Sequence, residues 1–468
     1  MEGLITFQIV SKLFYLGHMW PTAVDTSLEL RERYSHDWTE DLRFLPDAVA
    51  LPGSVEVLQQ ILAYAYEQDI PIIPAGGRTG LSGGMLPVQG GWVVSLEKLN
   101  RILTIDTANL YAVVQAGVIT QTLQEAVETV GLFYPPDPSS RGSCTIGGNI
   151  AHNAGGVRAV KYGTTREYVL GLEAFLPDGR PLRTGSRTLK NSTGYNLTQL
   201  LVGSEGTLAV IHTAILKLLP KPRYARTLLL GFPDARSAVA AVVAVLQKGI
   251  LPTAIEFMER DAVLFGQAYL GEKLYSGADT YGGLLLIEVD GSVPEVLEAE
   301  CAEIEAVAFS AGATQSWYAQ TADERERLWR LRRCLGIAVK SSGPYKEEDT
   351  VVPRTALPDL LEKVKSLGKK YGFRSVCYGH VGDGNLHVNI LREYLPQKVW
   401  DEEIPQAVEE LFRFVVAHGG ALSGEHGIGW VQRRYMPIQF SPDELALMKA
   451  LKATFDPKGL LNPGKIFP

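Results

Sequence analysis

The stretch Pro74-Ala75-Gly76-Gly77-Arg78-Thr79-Gly80-Leu81-Ser82-Gly83-Gly84 decides how the first half of this chain is read. Glycines let backbone N–H groups face an anion without side-chain obstruction, which is what a diphosphate requires. Short apolar strands are expected on either side, at Ile70–Pro74 and Trp92–Leu96, with no helix between them. That placement is not the dinucleotide fingerprint whose glycines open a helix, and no Gly-Lys-Ser/Thr follows to make a Walker loop. A plain flexible hairpin is the alternative.

Two more glycine-rich stretches lie downstream. Pro135-Pro136-Asp137-Pro138, Cys144-Thr145-Ile146-Gly147-Gly148-Asn149 and Asn153-Ala154-Gly155-Gly156 make a rigid–flexible series, and residues 134–156 read as one long functional loop. Gly203-Ser204-Glu205-Gly206-Thr207-Leu208 precedes an apolar strand. Three such loops are hard to explain as surface turns.

Around these loops the periodicity predicts a helix at about 54–68, with Val55, Leu58, Ile61, Leu62 and Ala65 on one face. A strand near Tyr111–Ala116, a helix at about 119–130 and strands at 169–176 and 207–218 follow. The character changes at Pro220–Arg223, so the main domain boundary is set at about 221. Beyond it, helices are expected at about 234–248, 294–311, 322–341, 356–371, 400–418 and 442–454. Strands are expected near 226–232, 284–290, 350–353, 374–379 and 386–392. The tail Phe455–Phe467 carries turn signals at Asp456-Pro457 and Pro463-Gly464, and is expected to dock on another domain.

With 468 residues the chain exceeds one ordinary core. A net charge of −7 and no basic stripe argue against nucleic-acid binding. Cys144, Cys301, Cys334 and Cys377 form no C-x-x-C pair, which fits a reducing, cytoplasmic compartment without a disulfide framework. Leu4 to Trp20 is too short and polar to span a bilayer and lacks a signal-peptide pattern. It reads as an ordinary helix or a start-site artefact, with a membrane-surface anchor as the other reading.

A second chemical centre is Gly379-His380-Val381-Gly382-Asp383-Gly384-Asn385-Leu386-His387-Val388-Asn389. Its glycine-rich turn can fold the chain back so that both imidazoles converge. A third ligand can come from Ser423-Gly424-Glu425-His426-Gly427-Ile428-Gly429, and two histidines with one carboxylate leave a divalent metal an open position. A neutral pair of hydrogen-bonded core histidines is the other reading.

From about Leu42 to Phe467 these motifs resemble the vanillyl-alcohol oxidase and p-cresol methylhydroxylase flavoproteins. Within them the resemblance is to the D-lactate, glycolate and D-2-hydroxyglutarate dehydrogenase branch. It implies an α+β chain: a 1–41 extension, a two-lobed PCMH-type FAD-binding domain at 42–220, a substrate (cap) domain at 221–454 with an antiparallel sheet covered by helices, and a 455–468 tail returning to the first domain. Pro74, Gly76, Gly77, Arg78, Thr79, Gly80 and Leu81 would cradle the FAD diphosphate, with Arg78 at a position that is often small or polar. Pro136, Asp137, Thr145, Gly147, Gly148, Asn149, Asn153, Gly155 and Gly156 would border the isoalloxazine and ribityl chain. Glu205, Gly206 and Ile211 would lie towards the adenine end, and Asn462 near the flavin. Some relatives attach flavin through His or Cys, and His152 and Cys144 lie in the right stretch. The branch nevertheless implies non-covalent FAD.

The same resemblance implies that His380, His387 and Glu425 hold zinc or a similar divalent metal, that His426 is the general base, and that Asn385 contacts the substrate or supports a ligand. Arg332 and Lys346 would hold a substrate carboxylate. The alternative for Arg332 is a solvated helix face, since Arg325, Arg327, Arg330 and Arg333 crowd it. The implied reaction is oxidation of a small D-2-hydroxy acid, with hydride to flavin N5 and electrons to a non-NAD acceptor, a protein or a quinone. Gly336, one turn after Arg332, replaces the hydroxyl residue of the D-2-hydroxyglutarate enzymes and tilts the expectation towards lactate- or glycolate-sized substrates. A homodimer, and membrane association through an acceptor partner, belong to the same expectation. Two rivals are an accessory FAD subunit of a multi-subunit glycolate oxidase and a non-redox alkyl-transferase-like member.

Overall fold

A computed structural model describes residues 23–39, 42–273 and 277–468. The reading of residues 1–20 lies outside the described residues. Ser54 caps the helix Val55–Glu67 by accepting from the Val57 amide. That helix buries Leu58, Ile61, Leu62 and Ala65, the face expected from the sequence. It packs on a four-stranded sheet ordered Val24–Asp25, Ala48–Ala50, Trp92–Ser95, Ile72–Ala75. The last two strands run parallel, so the Gly76–Gly84 loop belongs to a crossover that would ordinarily hold a helix.

The second sheet is antiparallel and ordered Ile102–Asp106, Tyr111–Gln115, Val210–Lys217, Val169–Phe175, Pro181–Gly185. Residues 134–156 are not one irregular loop, because Ile146–His152 is a short helix. Thr145 starts it by accepting from Gly148 N, which offsets the poor helix propensity of Gly147 and Gly148.

The third sheet is antiparallel and seven-stranded, in the order Gln315–Ala319, Tyr224–Phe232, Gly283–Gly291, Ala254–Glu259, Arg374–Gly379, Asn385–Leu391, Tyr345–Val351. One face packs Ile255, Phe257, Leu285, Val388 and Ile390 under helices that include Ala235–Gln247 and Leu357–Tyr371. The other packs Ala254, Met258, Leu286, Val376 and Tyr378 against Arg260–Leu270 and Ala322–Ser341. Helices thus cover both faces of an antiparallel sheet, as the fold class requires.

Two differences from the sequence reading matter for the site. Ala254–Glu259 is a central strand that the pattern did not announce, because two glutamates interrupt its apolar run. The strand expected at 350–353 begins at Tyr345, since the acidic Glu347-Glu348-Asp349 run pairs with Asn389, Val388 and His387 rather than with water.

The tail returns to the first sheet. Ile72 N donates to the Leu460 carbonyl (2.8 Å), Asn462 N donates to the Ile72 carbonyl (2.7 Å), and Leu461 is fully buried there.

Candidate metal and flavin site

The hairpin joining Arg374–Gly379 to Asn385–Leu391 turns through His380–Gly384. Gly384 has φ +92°, and a Cβ there would stand 2.1 Å from the Val352 carbonyl, so only glycine closes this turn. The turn brings the His380 and His387 rings to 5.3 Å, nearly perpendicular at 84°. Glu425 Oε1 lies 3.5 Å from His380 Nε2 and 3.8 Å from His387 Nε2.

Each histidine has its other nitrogen against a carboxylate. His380 Nδ1 donates to Glu256 Oε1 at 2.7 Å, while His387 Nδ1 lies 3.5 Å from Glu347 and 3.8 Å from Asp349. For His380 the hydrogen-bonded carboxylate fixes the proton at Nδ1 and leaves the Nε2 lone pair free for a cation, whereas His387 Nδ1 is buried without a hydrogen-bond partner. His380 Nε2 is buried without a hydrogen-bond partner. Tetrahedral ligands held at 2.0–2.2 Å stand about 3.4 Å apart, close to the separations around Glu425. The donor set therefore fits a divalent cation.

The electrostatics agree. Burial drops the His387 imidazole to about 3, partly opposed by Asp349, so it is neutral. Burial would raise the Glu425 carboxyl, but the closeness and charge of His380 outweigh it and hold the group at about 2. Burial pulls His380 down, yet Glu256 and Glu425 together push it well above the ordinary histidine value.

Asp349 organises the loop that carries Glu425 and His426. Its Oδ2 accepts from Ser423 Oγ (3.0 Å) and from the amides of Gly424 (2.8 Å), Glu425 (2.7 Å) and His426 (2.9 Å). Successive amides around one anion form a rigid concavity. Oδ1 accepts from Asn385 Nδ2 at 2.6 Å, so Asn385 supports Asp349. The His426 ring stacks on His387 at 5.3 Å. Burial lowers its proton affinity, but Asp349, Glu347 and Glu425 outweigh burial and raise it.

Arg332 does not lie on a solvated face. It is 4 % exposed, donates from Nε to Glu256 Oε2 at 2.7 Å, and lies over the Tyr378 ring. Its Nη2 is buried and has no hydrogen-bond partner. Lys346 is not brought to this cluster. Strand alternation turns Glu347 and Asp349 towards His387 and sends Lys346 to the opposite face, where its ammonium lies 5.2 Å from the Trp400 ring centroid. Gly336 faces the cluster's side of the helix, where an added Cβ would be 3.7 Å from Tyr378 OH.

The glycine loops meet one another beside this centre. A Cβ on Gly76 would stand 2.5 Å from Thr145 Oγ1 and one on Gly77 2.3 Å from the Ser143 carbonyl, so these glycines permit two loops to nest. Gly80, by contrast, borders open space. No protein acceptor among the described residues takes the amides of Gly76, Gly77, Arg78, Thr79, Gly80 or Leu81, and such a row of unused donors fits a diphosphate. Arg78, at φ +59°, sends its guanidinium out to the Arg33 carbonyl and the Tyr34 ring.

Several other expected cofactor residues hold the loops in place. Asp137 pairs with Arg141, Asn149 donates to Thr120, Asn153 accepts from Thr164 and the Arg166 amide, and Pro136 accepts from Gln124. A Cβ on Gly147 would strike Ala116, and one on Gly156 the Asp137 carbonyl. Gly206 lies against Pro74, and Ile211 is buried in its strand. Cys144 packs its thiol on Thr120 Oγ1.

The glycine loops also grip the loop that carries Glu425 and His426. Ser82 Oγ and His152 Nδ1 both donate to the His426 carbonyl. Glu205 accepts the amides of Ile428 (2.8 Å) and Gly429 (2.7 Å). Asn462 Nδ2 donates to the Gly84 and Glu205 carbonyls. A side chain at Gly155 would stand 2.9 Å from Glu425 Oε2.

Sequence reasoning missed Glu256, Glu347 and Asp349. The available signal was an acid inside a strand-like apolar run, as in Ala254-Ile255-Glu256-Phe257-Met258.

Comparison with known proteins agrees with this architecture. A family model described as FAD linked oxidases, C-terminal domain, matches residues 221–466, and an FAD binding domain model matches residues 46–185. The chain is 40% identical over 448 residues to the glycolate oxidase subunit GlcD of Bacillus subtilis (strain 168), covering 96% of this chain and 94% of the relative. It is 34% identical to a D-lactate dehydrogenase of Anaerostipes hadrus, covering 95% of each. It is 35% identical to a D-2-hydroxyglutarate dehydrogenase of Stutzerimonas stutzeri (strain A1501), covering 96% of each. The crystal structure of p-cresol methylhydroxylase with substrate bound shares the fold, with a TM-score of 0.80 at 17% identity over 95% of this chain and 93% of that one.

Proposed function

Because the chain belongs to the FAD linked oxidase family and is an FAD-dependent oxidoreductase, we propose that it oxidises a small D-2-hydroxy acid to the 2-oxo acid at the His380–His387–Glu425–His426 centre. The observation that carries this reading is one juxtaposition. Two lone-pair nitrogens and a carboxylate converge, with a stacked histidine on one side and a buried arginine carrying a free Nη2 nearby.

FAD, held by the glycine loops from Pro74 to Leu81 and from Pro136 to Gly156, supplies a two-electron acceptor for the Cα hydrogen. A divalent ion on His380, His387 and Glu425, zinc by its donor set, supplies Lewis-acid polarisation of the substrate hydroxyl. Arg332 Nη2 anchors the substrate carboxylate, and Lys346, on the far face, takes no part. His426 accepts the hydroxyl proton, and the surrounding carboxylates stabilise the imidazolium that results. Asp349 holds His426 in place through three backbone amides, and Asn385 holds Asp349.

FAD is held non-covalently in this reading, as the resemblance to the hydroxy-acid branch implies, and Cys144 packs on Thr120 while His152 Nδ1 meets the His426 carbonyl. The flavin domain spans 42–220, the substrate domain 221–454, and residues 455–468 return to the former. The absent side chain at Gly336 leaves no second anchor beside Arg332, which favours monocarboxylates of lactate or glycolate size. Electrons leave to a protein or quinone acceptor. No helix among the described residues is long and apolar enough to cross a membrane.

An anaerobic screen of D- and L-2-hydroxy acids, following flavin absorbance with and without chelator, tests the reading. Bleaching by D-acids that weakens on metal removal is expected. Bleaching by L-acids alone, or by none, sinks it. A second reading, as one subunit of a larger oxidase, draws on the GlcD relative being named a subunit. Failure of the isolated chain to reduce dye after its flavin bleaches would favour that reading.

A further inference from the structure

Glu256 sits at the centre of the strand Ala254–Glu259, fully buried, and no solvent helps its charge. Both its oxygens are taken by groups that the reading above uses. Oε2 accepts from Arg332 Nε at 2.7 Å and Oε1 from His380 Nδ1 at 2.7 Å. Among the described residues no other donor shares it. A carboxylate buried at this cost is stable only while paired and hydrogen-bonded.

Resting on the proposed function, we infer that Glu256 is a positioning residue common to the substrate anchor and the metal centre, and that it makes occupancy of each depend on the other. The physical link is the division of one negative charge between two partners. An anion arriving on Arg332 Nη2 draws the guanidinium charge towards itself and weakens its hold on Glu256. More of the Glu256 charge then falls on His380 Nδ1–H, which makes His380 Nε2 a stronger donor to a cation. A carboxylate that acts through histidine in this way typically changes metal affinity about 10–100-fold. By linkage the coupling is reciprocal, so the metal tightens the anchor as much as the anion tightens the metal.

The test uses flavin-loaded protein and follows zinc release to a chelator. Propionate is the probe, since it offers a carboxylate but no oxygen at C2 that could chelate. In the wild type, propionate at saturation is expected to slow zinc release about fivefold, within the usual range of coupling between sites. Glu256→Gln keeps the shape but not the charge. It is expected to release zinc about tenfold faster, to show no slowing by propionate at its own saturating concentration, and to raise KM for D-lactate more than it lowers kcat. If the Gln protein comes without flavin, Glu256→Asp gives the same reading. It keeps the charge but is one methylene too short to reach both partners.

A flavin-loaded variant whose zinc release matches the wild type, or is still slowed by propionate, overturns the inference. So does a wild type indifferent to propionate. A wild type that binds no zinc at all overturns the metal centre itself, which is a separate failure.

Discussion

The flavin cradle and the histidine centre lie side by side but are built in opposite ways. The cradle is made of backbone: glycines that let loops nest and a row of amides with no protein acceptor among the described residues. The centre is made of side chains drawn from far apart, Glu256 from one strand, Glu347 and Asp349 from another, Arg332 from a helix and Glu425 from a loop. A backbone site is contiguous in sequence and tolerates change in any side chain that points away. A side-chain site is assembled only by the fold, and each member depends on partners the sequence does not place beside it.

Replacing His426 by Ala should give the largest effect, a loss of about 10³-fold or more in flavin reduction with FAD still bound, measured by anaerobic stopped flow. Retention of FAD would keep the two regions separable; its loss would join them.

Acid should strike the cradle side next. His212, buried in the second sheet against Phe175, is held down at about 4, first by burial and then by Arg183. Between about pH 6.5 and 4 the unfolded chain therefore binds a proton that the folded one refuses, and stability falls as pH drops through that window. The cost is on the order of 3 kcal/mol at its lower end. Replacing His212 by Gln should remove most of that slope in a denaturant series at several pH values, and an unchanged slope would assign acid sensitivity elsewhere.

Asp349→Asn should cost about 100-fold in turnover, because a neutral amide cannot accept from Ser423 and three successive N–H groups as a carboxylate does. Zinc content and kcat should fall together while flavin absorbance persists.

Gly77→Ala should act only on the cradle. Its Cβ would stand 2.3 Å from the Ser143 carbonyl, so about 1–3 kcal/mol should be lost, visible as weaker FAD retention with zinc retained. Lys346→Met should be the smallest change, with kcat and KM within about twofold of wild type, as expected for a half-buried residue on the far face of the sheet from the site. A large rise in KM would return Lys346 to the site.

What was legible follows the same division. The glycine loops, the two histidines of the hairpin, and Glu425 and His426 each stand in a local motif, and reading the motif was enough to name them. The Val55–Glu67 helix was equally plain, because its apolar face repeats at the helical period. Glu256 and Asp349 were hidden, since an acid in a strand reads as solvent-facing until the partner strand supplies a histidine or an arginine. Which face Lys346 takes was hidden for the same reason. One step along an extended strand reverses the face, and only the pairing of Asp349 with His387 tells which face matters. The helix Ile146–His152 was masked by its own glycines, whose low propensity the Thr145 cap overcomes.

The pairing of Leu460–Asn462 with Ile72 has a consequence for how the molecule is made. A ribosome delivers Ile72 long before Leu461, so the first sheet waits, with an open edge, while the intervening polypeptide is translated. An uncovered edge strand is a template for unwanted pairing with other chains. A stop codon just before Leu460 would leave every strand of that sheet encoded and yet yield a protein prone to clump, with the fault lying far along the message from the sheet it exposes.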